Sequence, residues 1–335
     1  MPKVTLQSIA ARLGVSRMTV SNAFSRPDQL SAQLRERILA EAAQLGYTGP
    51  DPAARSLARG TSGAIGVLWT EPLRLALSDA VTAGFLGALA DELSGDGLAL
   101  TLLPPTVPAH DIAMDGAIAY SSPLDSPSMR WLRRRRVPVV GVDMAWPDGP
   151  SVTIHDREGA RDAAAHLLGL GHRRIAVLTQ AGGGDEGPGE RVAGWLEGLG
   201  GIKPVVSLVH VYADNRAVIV DLLRRVRPTA VLCLTDLVAA QVLAVAAELE
   251  LSVPGELSVI GFDDHPIAAG LGLTTVAQDV DAKGRAAAQL MRDLLAREAG
   301  SEAEPPAGVR LGVELVLRGS TGPAPSTTRA VRGRY

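Results

Sequence analysis

Apolar residues recur at helical spacing through the first fifty positions of the chain. Leu6, Ile9, Ala10 and Leu13 stand three and four residues apart, which predicts a short amphipathic helix with Thr5 as its N-cap. Further apolar stripes at the same spacing predict two more helices before residue 48. We therefore expect the chain to begin with a small helical domain.

A tight turn separates the first two predicted helices. Gly14 can adopt the positive φ that such a turn requires. Ser16 then caps a second helix that buries Val20 and Phe24, and Ser31 caps a third. This arrangement is typical of a helix-turn-helix. The other side of the second helix carries side chains suited to the major groove of DNA: Arg17, Met18, Ser21 and Asn22.

From residue 61 the pattern changes, because short apolar runs alternate with longer amphipathic stretches. The apolar runs predict strands at 64–69, 98–103, 117–120, 139–142, 175–178, 205–211, 230–234, 257–262 and 309–317. The amphipathic stretches predict helices at 79–93, 156–170, 190–199, 215–225, 237–249 and 280–297. Strands alternating with helices indicate an α/β fold with parallel sheets. The predicted strands and helices are too many for one sheet, so we expect two lobes.

The charge of the chain is divided unevenly between these two parts. Residues 1–60 contain eight Lys/Arg and four Asp/Glu, a balance of +4, which leaves −7 for the remainder of a chain of total charge −3. A basic head suits contact with phosphate. Apolar runs fall short of the roughly 18–20 residues that span a bilayer. The first residues show no hydrophobic signal core, so we expect a cytoplasmic protein.

Four short motifs together resemble the DNA-binding head of the LacI/GalR family of bacterial transcription regulators. They are Val-Thr-Leu-x-x-Ile-Ala from residue 4, Gly-Val-Ser-x-x-Thr-Val-Ser from 14, Leu-Gly-Tyr at 45–47 and Ala-Arg-x-Leu at 54–57. Two positions depart from the family pattern. Ser8 stands where the family usually has Asp, and one extra residue lies near Gly49. Neither position belongs to the side that reads bases.

The resemblance implies a set of DNA-contacting residues and a hinge. A hinge helix over 52–58 would fold only on the operator, with Leu57 and its dimer mate wedged into the minor groove. On composition alone the same segment also fits a plain linker. The implied DNA-binding residues are Thr5, Leu6, Ser16, Arg17, Met18, Thr19, Ser21, Asn22, Ser25, Ser31, Tyr47, Arg55 and Leu57.

The resemblance also implies the domain plan. An all-α helix-turn-helix head at 1–48 and a hinge at 49–60 precede an α/β, two-lobed, periplasmic-binding-protein-like effector domain at 61–320, built on two parallel Rossmann-like sheets. Lobe one would take about 61–152 and 278–305. Lobe two would take about 153–277 and 306–320. Residues 321–335 are rich in Pro, Ser, Thr and Arg, so we expect a disordered tail.

Ligands of parallel sheets bind at the carboxyl ends of the strands. Polar or aromatic residues follow several predicted strands, and the family places effector contacts at four of these positions: Asp143, Arg191, Thr235 and Asp263. Leu73, Leu75 and Trp146 complete the expected effector site. Asp–Arg pairs suit adjacent sugar hydroxyls, and Trp146 suits an apolar sugar face. Structural roles also remain open, namely a helix cap for Asp236, a core position for Trp195 and a structural role for Asp264.

The predicted function is that of a homodimeric regulator, most readily a repressor, that binds a near-palindromic double-stranded operator. A small molecule, by the resemblance a carbohydrate, would control its operator affinity. A solute-binding protein for sugar uptake is the alternative, but the basic head disfavours it. We expect no enzyme, cofactor or metal site, because the six His show no metal spacing and Cys233 reads as a buried strand residue. The glycines at 182–184 lack the Gly-Lys-Ser/Thr of a phosphate loop.

Overall fold

A computed structural model of the chain describes residues 4–49, 51, 56–57, 60–180, 189–297 and 306–325. The chain divides into two compact units, Met1–Gly63 and Ala64–Tyr335.

The first unit is a three-helix domain formed by α1 (Leu6–Leu13), α2 (Arg17–Ser25) and α3 (Ala32–Gln44). The hydroxyls of Thr5, Ser16 and Ser31 each accept a hydrogen bond from a backbone N–H three residues later, which confirms the three predicted caps. Gly14 has a φ of 68°, as its turn requires. The core of the domain consists of Ile9, Ala10, Val20, Ala23, Ile38 and Ala42.

Ser8, the residue that departs from the family pattern, completes the cap of α1. Its hydroxyl accepts a hydrogen bond from the Thr5 backbone N–H at 2.9 Å, while the Thr5 hydroxyl accepts one from the Ser8 N–H at 3.3 Å. This reciprocal pair is a capping box, in which serine serves as the acceptor that a carboxylate or amide more often supplies. The departure therefore keeps the helix start satisfied.

The second unit contains two parallel sheets, as predicted. Lobe one is built on β1 (Ala64–Leu68), β2 (Ala99–Leu103), β3 (Gly116–Tyr120), β4 (Val139–Val142), β5 (Ser151–Ile154) and β11 (Val309–Leu311), in the order β11-β5-β4-β3-β1-β2. Lobe two is built on β6 (Ile175–Thr179), β7 (Val205–Leu208), β8 (Ala230–Cys233) and β9 (Ser258–Ile260), in the order β7-β6-β8-β9. The central strands β4 and β8 are buried throughout, so they appear in the sequence as continuous apolar runs.

Helices cover both sheets, and a small antiparallel pair joins the lobes. The helices are α4 (Leu73–Ala76), α5 (Ala80–Ser94), α6 (Pro127–Arg135), α7 (Asp156–Gly169), α8 (Glu190–Gly198), α9 (Arg216–Asp221), α10 (Asp236–Glu248), α11 (Pro266–Gly270) and α12 (Val280–Leu295). A π-helical turn, Leu222–Val226, continues α9. The antiparallel pair is β10 (Thr275–Gln278) with β12 (Val313–Val316). Trp195 and Cys233 are buried, as predicted.

The last predicted strand, 309–317, is in fact two strands. Its first three residues form β11, which pairs in parallel with β5 of lobe one, and Val313–Val316 pairs with β10. The change of partner falls at Gly312, so residues 309–311, which we assigned to lobe two, belong to the sheet of lobe one. The reason is that the free edge of β5 offers backbone partners, including the His155 N–H, which donates to the Leu311 carbonyl at 2.9 Å.

The predicted disordered tail begins too early at residue 321. The Gly322 N–H donates to Ser258 Oγ at 3.1 Å, and the Ala324 N–H donates to the Leu170 carbonyl at 2.8 Å. Buried His172 contacts the Gly322 carbonyl oxygen through Nε2 at 3.0 Å. Lobe two therefore provides hydrogen-bond partners for the backbone of this segment, although the composition of the segment is typical of a loop. Residues 326–335 lie outside the described part of the chain.

Candidate functional site

The second helix of the first unit presents the predicted reading face. Arg17 and Met18 are exposed, and Met18 keeps 69% of its surface accessible. Ser21 and Asn22 are half-buried, and Asn22 Nδ2 donates to Gln29 Oε1 at 2.9 Å. Arg17 and Met18 are therefore the freest side chains of this face.

Other predicted DNA-binding residues hold the head together. Ser16 and Thr19 share a hydroxyl–hydroxyl hydrogen bond of 2.8 Å at the start of α2, and Ser25 Oγ donates to the Ser21 carbonyl at 3.0 Å. Tyr47 packs edge-on against Phe24, and Leu6 lies partly buried beside the core of the head. Contacts of these residues with DNA remain a prediction.

Only part of the predicted hinge is described. The Ser56 carbonyl accepts a hydrogen bond from the Gly60 N–H at 2.8 Å, the spacing of one helical turn. Leu57 has helical backbone and is 87% exposed. Arg55 and the glycines at 182–184 lie outside the described residues. An exposed leucine on a helical turn fits the predicted wedge, which stays a prediction.

A cavity of about 830 Å³ lies between the two lobes of the second unit. Four of the seven predicted effector residues line it: Asp143 after β4, Arg191 on the first turn of α8, Thr235 after β8 and Asp263 after β9. The first comes from lobe one and the other three from lobe two. The rule that sites form at the carboxyl ends of parallel strands therefore located the cavity through four of its lining residues.

Arg191 is held on several sides. Its Nε donates to Asp156 Oδ1 at 2.6 Å, one terminal nitrogen donates to the Leu234 carbonyl at 2.7 Å, and the other lies 3.3 Å from Asp263 Oδ1. Its guanidinium also stacks on Phe262 at 3.7 Å from the ring centre. Burial lowers the pKa of Arg191, but Asp156 and Asp263 outweigh that effect and raise it. The side chain is a fixed cation in the cavity wall.

A chain of polar contacts links Asp143 to Asp263. Lys283 Nζ lies 2.8 and 2.9 Å from the two carboxylate oxygens of Asp143 and donates to Gln278 Oε1 at 2.6 Å. Gln278 Nε2 in turn donates to Asp263 Oδ1 at 2.7 Å. Asp263 and Arg191 are thereby connected across the lobes to Asp143.

Burial dominates the protonation of the cavity groups. It raises the pKa of Asp263 to about 6, against the opposing effects of Arg191 and Lys283. It also raises the pKa of Tyr120 well above its ordinary value, with a further contribution from Asp143. The pKa of Tyr212 rises to about 12 through burial and the nearby Asp79. Near neutral pH the cavity therefore presents an ionised Asp263 and neutral tyrosines.

Two of the predicted residues have a left-handed backbone conformation. Asp143 has a φ of 52° and Asp263 a φ of 104°, and Asp264 beside it has 53°. Such conformations cost of order 1–3 kcal/mol each for residues other than glycine, and they cluster at functional sites. Asp264 contacts Arg318 at 2.7 Å instead of the cavity, which agrees with a structural role.

Three predicted effector residues do not line the cavity: Leu73, Leu75 and Trp146. Trp146 is 8% exposed in the hydrophobic core of lobe one, and the Arg133 guanidinium covers its ring at 5.7 Å. Leu73 packs against the core beneath α5, and Leu75 is half-buried. Leu73 and Trp146 therefore pack in the hydrophobic interior of lobe one.

Asp236 has a structural role different from the expected cap. Thr235 is the N-cap of α10, because its hydroxyl accepts from the Val238 N–H. Fully buried Asp236 instead accepts hydrogen bonds from the Thr275 hydroxyl and the His265 N–H, both at 2.7 Å. Burial raises its pKa to about 7. Asp236 therefore joins the loops after β8 and β9 to β10.

Several residues of the cavity wall were not predicted from the sequence. Asp79, Tyr120 and Tyr212 line the cavity, and Tyr212 Oη donates to Asp79 Oδ2 at 3.4 Å. The position of Tyr120 at the end of a predicted strand was a usable signal. Lys283 does not line the cavity but contacts Asp143, and its position in the apolar stripe of α12 with Ala287 and Met291 was also a usable signal.

Comparison with known proteins identifies the family. The lacI family of bacterial regulatory proteins matches residues 5–49, and the periplasmic binding protein-like domain matches residues 164–321. An HTH-type transcriptional regulator of Mycobacterium tuberculosis is 39% identical over 324 residues, with 86% of this chain and 90% of the relative covered. The chain belongs to the LacI family.

This LacI-family regulator also resembles solved structures. The lac repressor dimer bound to operator and an anti-inducer is 25% identical, with a TM-score of 0.78 and coverage of 95% of this chain and 99% of that one. A complex of the transcriptional regulator CelR with cellobiose is 24% identical, with a TM-score of 0.66 and coverage of 95% and 100%. The predicted class, a transcriptional regulator, is confirmed. Among the described residues, no helix is long and apolar enough to cross a membrane.

Proposed function

We propose that this regulator is a repressor whose operator affinity is controlled by a sugar bound between its lobes. The observation that carries the proposal is the convergence of Asp143 from lobe one with Arg191 and Asp263 from lobe two on one cavity. Carboxylates accept hydrogen bonds from hydroxyl groups, and a guanidinium donates to them. A volume of about 830 Å³ suits a mono- or disaccharide.

The walls of the cavity suit a hydroxyl-rich ligand with an apolar face. Trp69 and Tyr120 stack at 4.3 Å between ring centres, and both line the cavity. Flat aromatic rings pack well on the C–H faces of sugar rings, a role that the sequence analysis gave to Trp146. The cellobiose complex of CelR supports the same class of ligand.

For the DNA side, we propose that two copies bind a near-palindromic operator, one half-site to each head. Exposed Arg17 and Met18 would read bases, and exposed Leu57 would enter the minor groove at the centre. The positive balance of residues 1–60 supports contact with phosphate. A regulator of this family would act in the bacterial cytoplasm and associate with the nucleoid when it is bound to DNA.

The proposal is tested by a thermal-shift screen that includes cellobiose, ribose, further neutral sugars and nucleosides. A ligand at 100 times its dissociation constant stabilises the folded state by about 2.7 kcal/mol. We expect a sugar to raise the melting temperature of the wild type but not of Arg191→Ala. The same sugar should change operator binding in a mobility-shift assay. A sugar that stabilises both proteins equally would place the site elsewhere.

A further inference from the structure

Lysine is rare in this regulator, and one lysine is buried. Of the 33 Lys and Arg residues, only Lys3, Lys203 and Lys283 are lysines. Lys203 is exposed, whereas Lys283 is 1% exposed in the interior face of α12. Lysine is almost never fully buried unless it is paired. A buried lysine in a chain that otherwise uses arginine indicates a geometry that arginine does not satisfy.

The contacts of Lys283 use its full hydrogen-bonding capacity. An ammonium group carries three N–H donors and no acceptor. The two oxygens of Asp143 and Oε1 of Gln278, at 2.6 to 2.9 Å, provide three acceptors. A planar guanidinium is larger and has five donors in a fixed fork, so it does not fit this compact arrangement.

Lys283 and the Asp263 carboxylate together decide which way the Gln278 amide faces. The amide oxygen and nitrogen are assigned from their hydrogen-bond partners. Because an ammonium can only donate, the atom of Gln278 that faces Lys283 must be the oxygen. The amide nitrogen then faces Asp263 and donates to Oδ1 at 2.7 Å. A lysine of lobe one thereby orients a carboxylate of lobe two through one glutamine.

We propose that Lys283 is a positioning residue of the ligand cavity, which fixes Asp143 directly and Asp263 through Gln278 in the orientation that receives ligand hydroxyls. The inference rests on the proposed function for its ligand, but the contact network is independent of it. Both Gln278 and Arg191 contact Oδ1 of Asp263, so a ligand hydroxyl is expected at Oδ2.

The first test follows the orientation of Gln278 by NMR of side-chain amides in the ligand-free regulator. Loss of one amide pair in Gln278→Leu assigns the signal. We expect Lys283→Met to shift that signal, since the amide oxygen loses its donor and only Asp263 still holds the amide. Lys203→Met, the matched control at an exposed lysine of lobe two, should leave it unchanged. An unchanged Gln278 signal in Lys283→Met overturns the proposal.

A second variant separates positioning from folding. Lys283→Met leaves the Asp143 carboxylate without its cation, so the melting temperature should fall. Lys283→Met with Asp143→Asn removes both charges and should recover much of that loss. If the single variant does not fold, the double variant is compared with Asp143→Asn alone. The Gln278 signal should still move between these two, and coincident signals contradict the proposal.

The third test measures binding of cellobiose, ribose and the other neutral sugars of the screen. For each sugar that the wild type binds, folded Lys283→Met should bind at least about tenfold more weakly, and Lys203→Met should bind equally well. Equal affinity in folded Lys283→Met overturns the positioning role. If the wild type binds no sugar while the Gln278 signal moves in Lys283→Met, the sugar assignment fails and the positioning of Gln278 stands.

Discussion

At the scale of single residues, the cavity depends on charged groups that are held before any ligand arrives. Arg191 is fixed by Asp156, Asp263 and the Leu234 carbonyl, and its face rests on Phe262. Fixed groups need no reordering when a ligand binds, and this lowers the entropic cost of binding. The same reasoning predicts that substitution of a single charged side chain in the cavity has a large effect on ligand affinity.

Arg17 gives the first prediction. Arg17→Ala should weaken binding to the specific operator by roughly 1–3 kcal/mol if the guanidinium contacts guanine with two hydrogen bonds. The measurement compares operator with random DNA at one fixed salt concentration. Arg37→Ala, at an exposed residue of α3, serves as the control. Equal losses on both DNAs would show that Arg17 contacts only phosphate.

Asp263 gives a prediction about pH. Its pKa of about 6 lies above the ordinary value, so the carboxylate is ionised above pH 6 and protonated below it. If ligand hydroxyls donate to the ionised form, sugar affinity should fall about tenfold between pH 8 and pH 5. Asp263→Asn should bind weakly at both values, without this pH dependence. Wild-type affinity that stays constant down to pH 5 would contradict an accepting role for Asp263.

The sequence located some cavity residues and not others for identifiable reasons. Asp143, Thr235 and Asp263 follow apolar strands, so the topology of a parallel sheet carries them to one edge. Trp146 also follows a strand, but the core of lobe one has room for its ring. Lys283 lies within a predicted helix, and only the three-dimensional structure shows that Asp143 reaches it.

At the scale of secondary-structure elements, burial controlled what could be predicted. Fully buried strands such as β4 and β8 have unmistakable apolar runs, and the start of α2 has an N-cap at Ser16. The division of 309–317 could not be read, because both halves alternate in the same way and the partner strand decides the break. Pairing partners are a property of the tertiary structure.

Helices α7 and α8 pack unusually closely, which gives the third prediction. A Cβ atom added at Gly198 would lie 2.2 Å from the Arg161 carbonyl oxygen, a contact that only a shift of the helices could relieve. Gly198→Ala should therefore lower the free energy of unfolding by about 1–3 kcal/mol. Gly169→Ala, where no atom lies within 4 Å, is the control in denaturant titrations. Equal stability of both variants would contradict the close packing.

The hinge gives the fourth prediction. Leu57→Ala should weaken operator binding and reduce DNA bending, since a smaller side chain cannot hold a base step open. A flexible pyrimidine–purine step at the operator centre should favour the wild type. Sugar binding should be intact. Leu317→Ala, at another exposed leucine, should leave the bend unchanged. A wild-type bend angle in Leu57→Ala complexes would exclude the wedge.

At the scale of the whole molecule, the two compact units differ in charge and in chemistry. The first sixty residues carry the positive balance, and the cavity proposed to bind the ligand lies within the second unit. The proposed control of operator binding therefore requires a coupling free energy between separate sites. A ligand shifts operator binding only through its different affinities for the two conformations of the regulator. A thousandfold change in operator affinity corresponds to about 4 kcal/mol of coupling.

The last prediction tests this coupling at Arg191 and Asp263, two charged residues of lobe two that line the cavity. If the sugar is an inducer, Arg191→Ala and Asp263→Ala should bind operator like the wild type without sugar and should not respond to it. If the sugar is a co-repressor, both variants should fail to bind operator even when it is present. Asp91→Asn, an exposed carboxylate of lobe one, is the control and should respond like the wild type. The assay titrates sugar at fixed operator concentration. If a cavity variant responds at the same sugar concentration as the wild type, the substituted residue does not contribute to the coupling. If both variants respond in this way, the effector does not bind in this cavity.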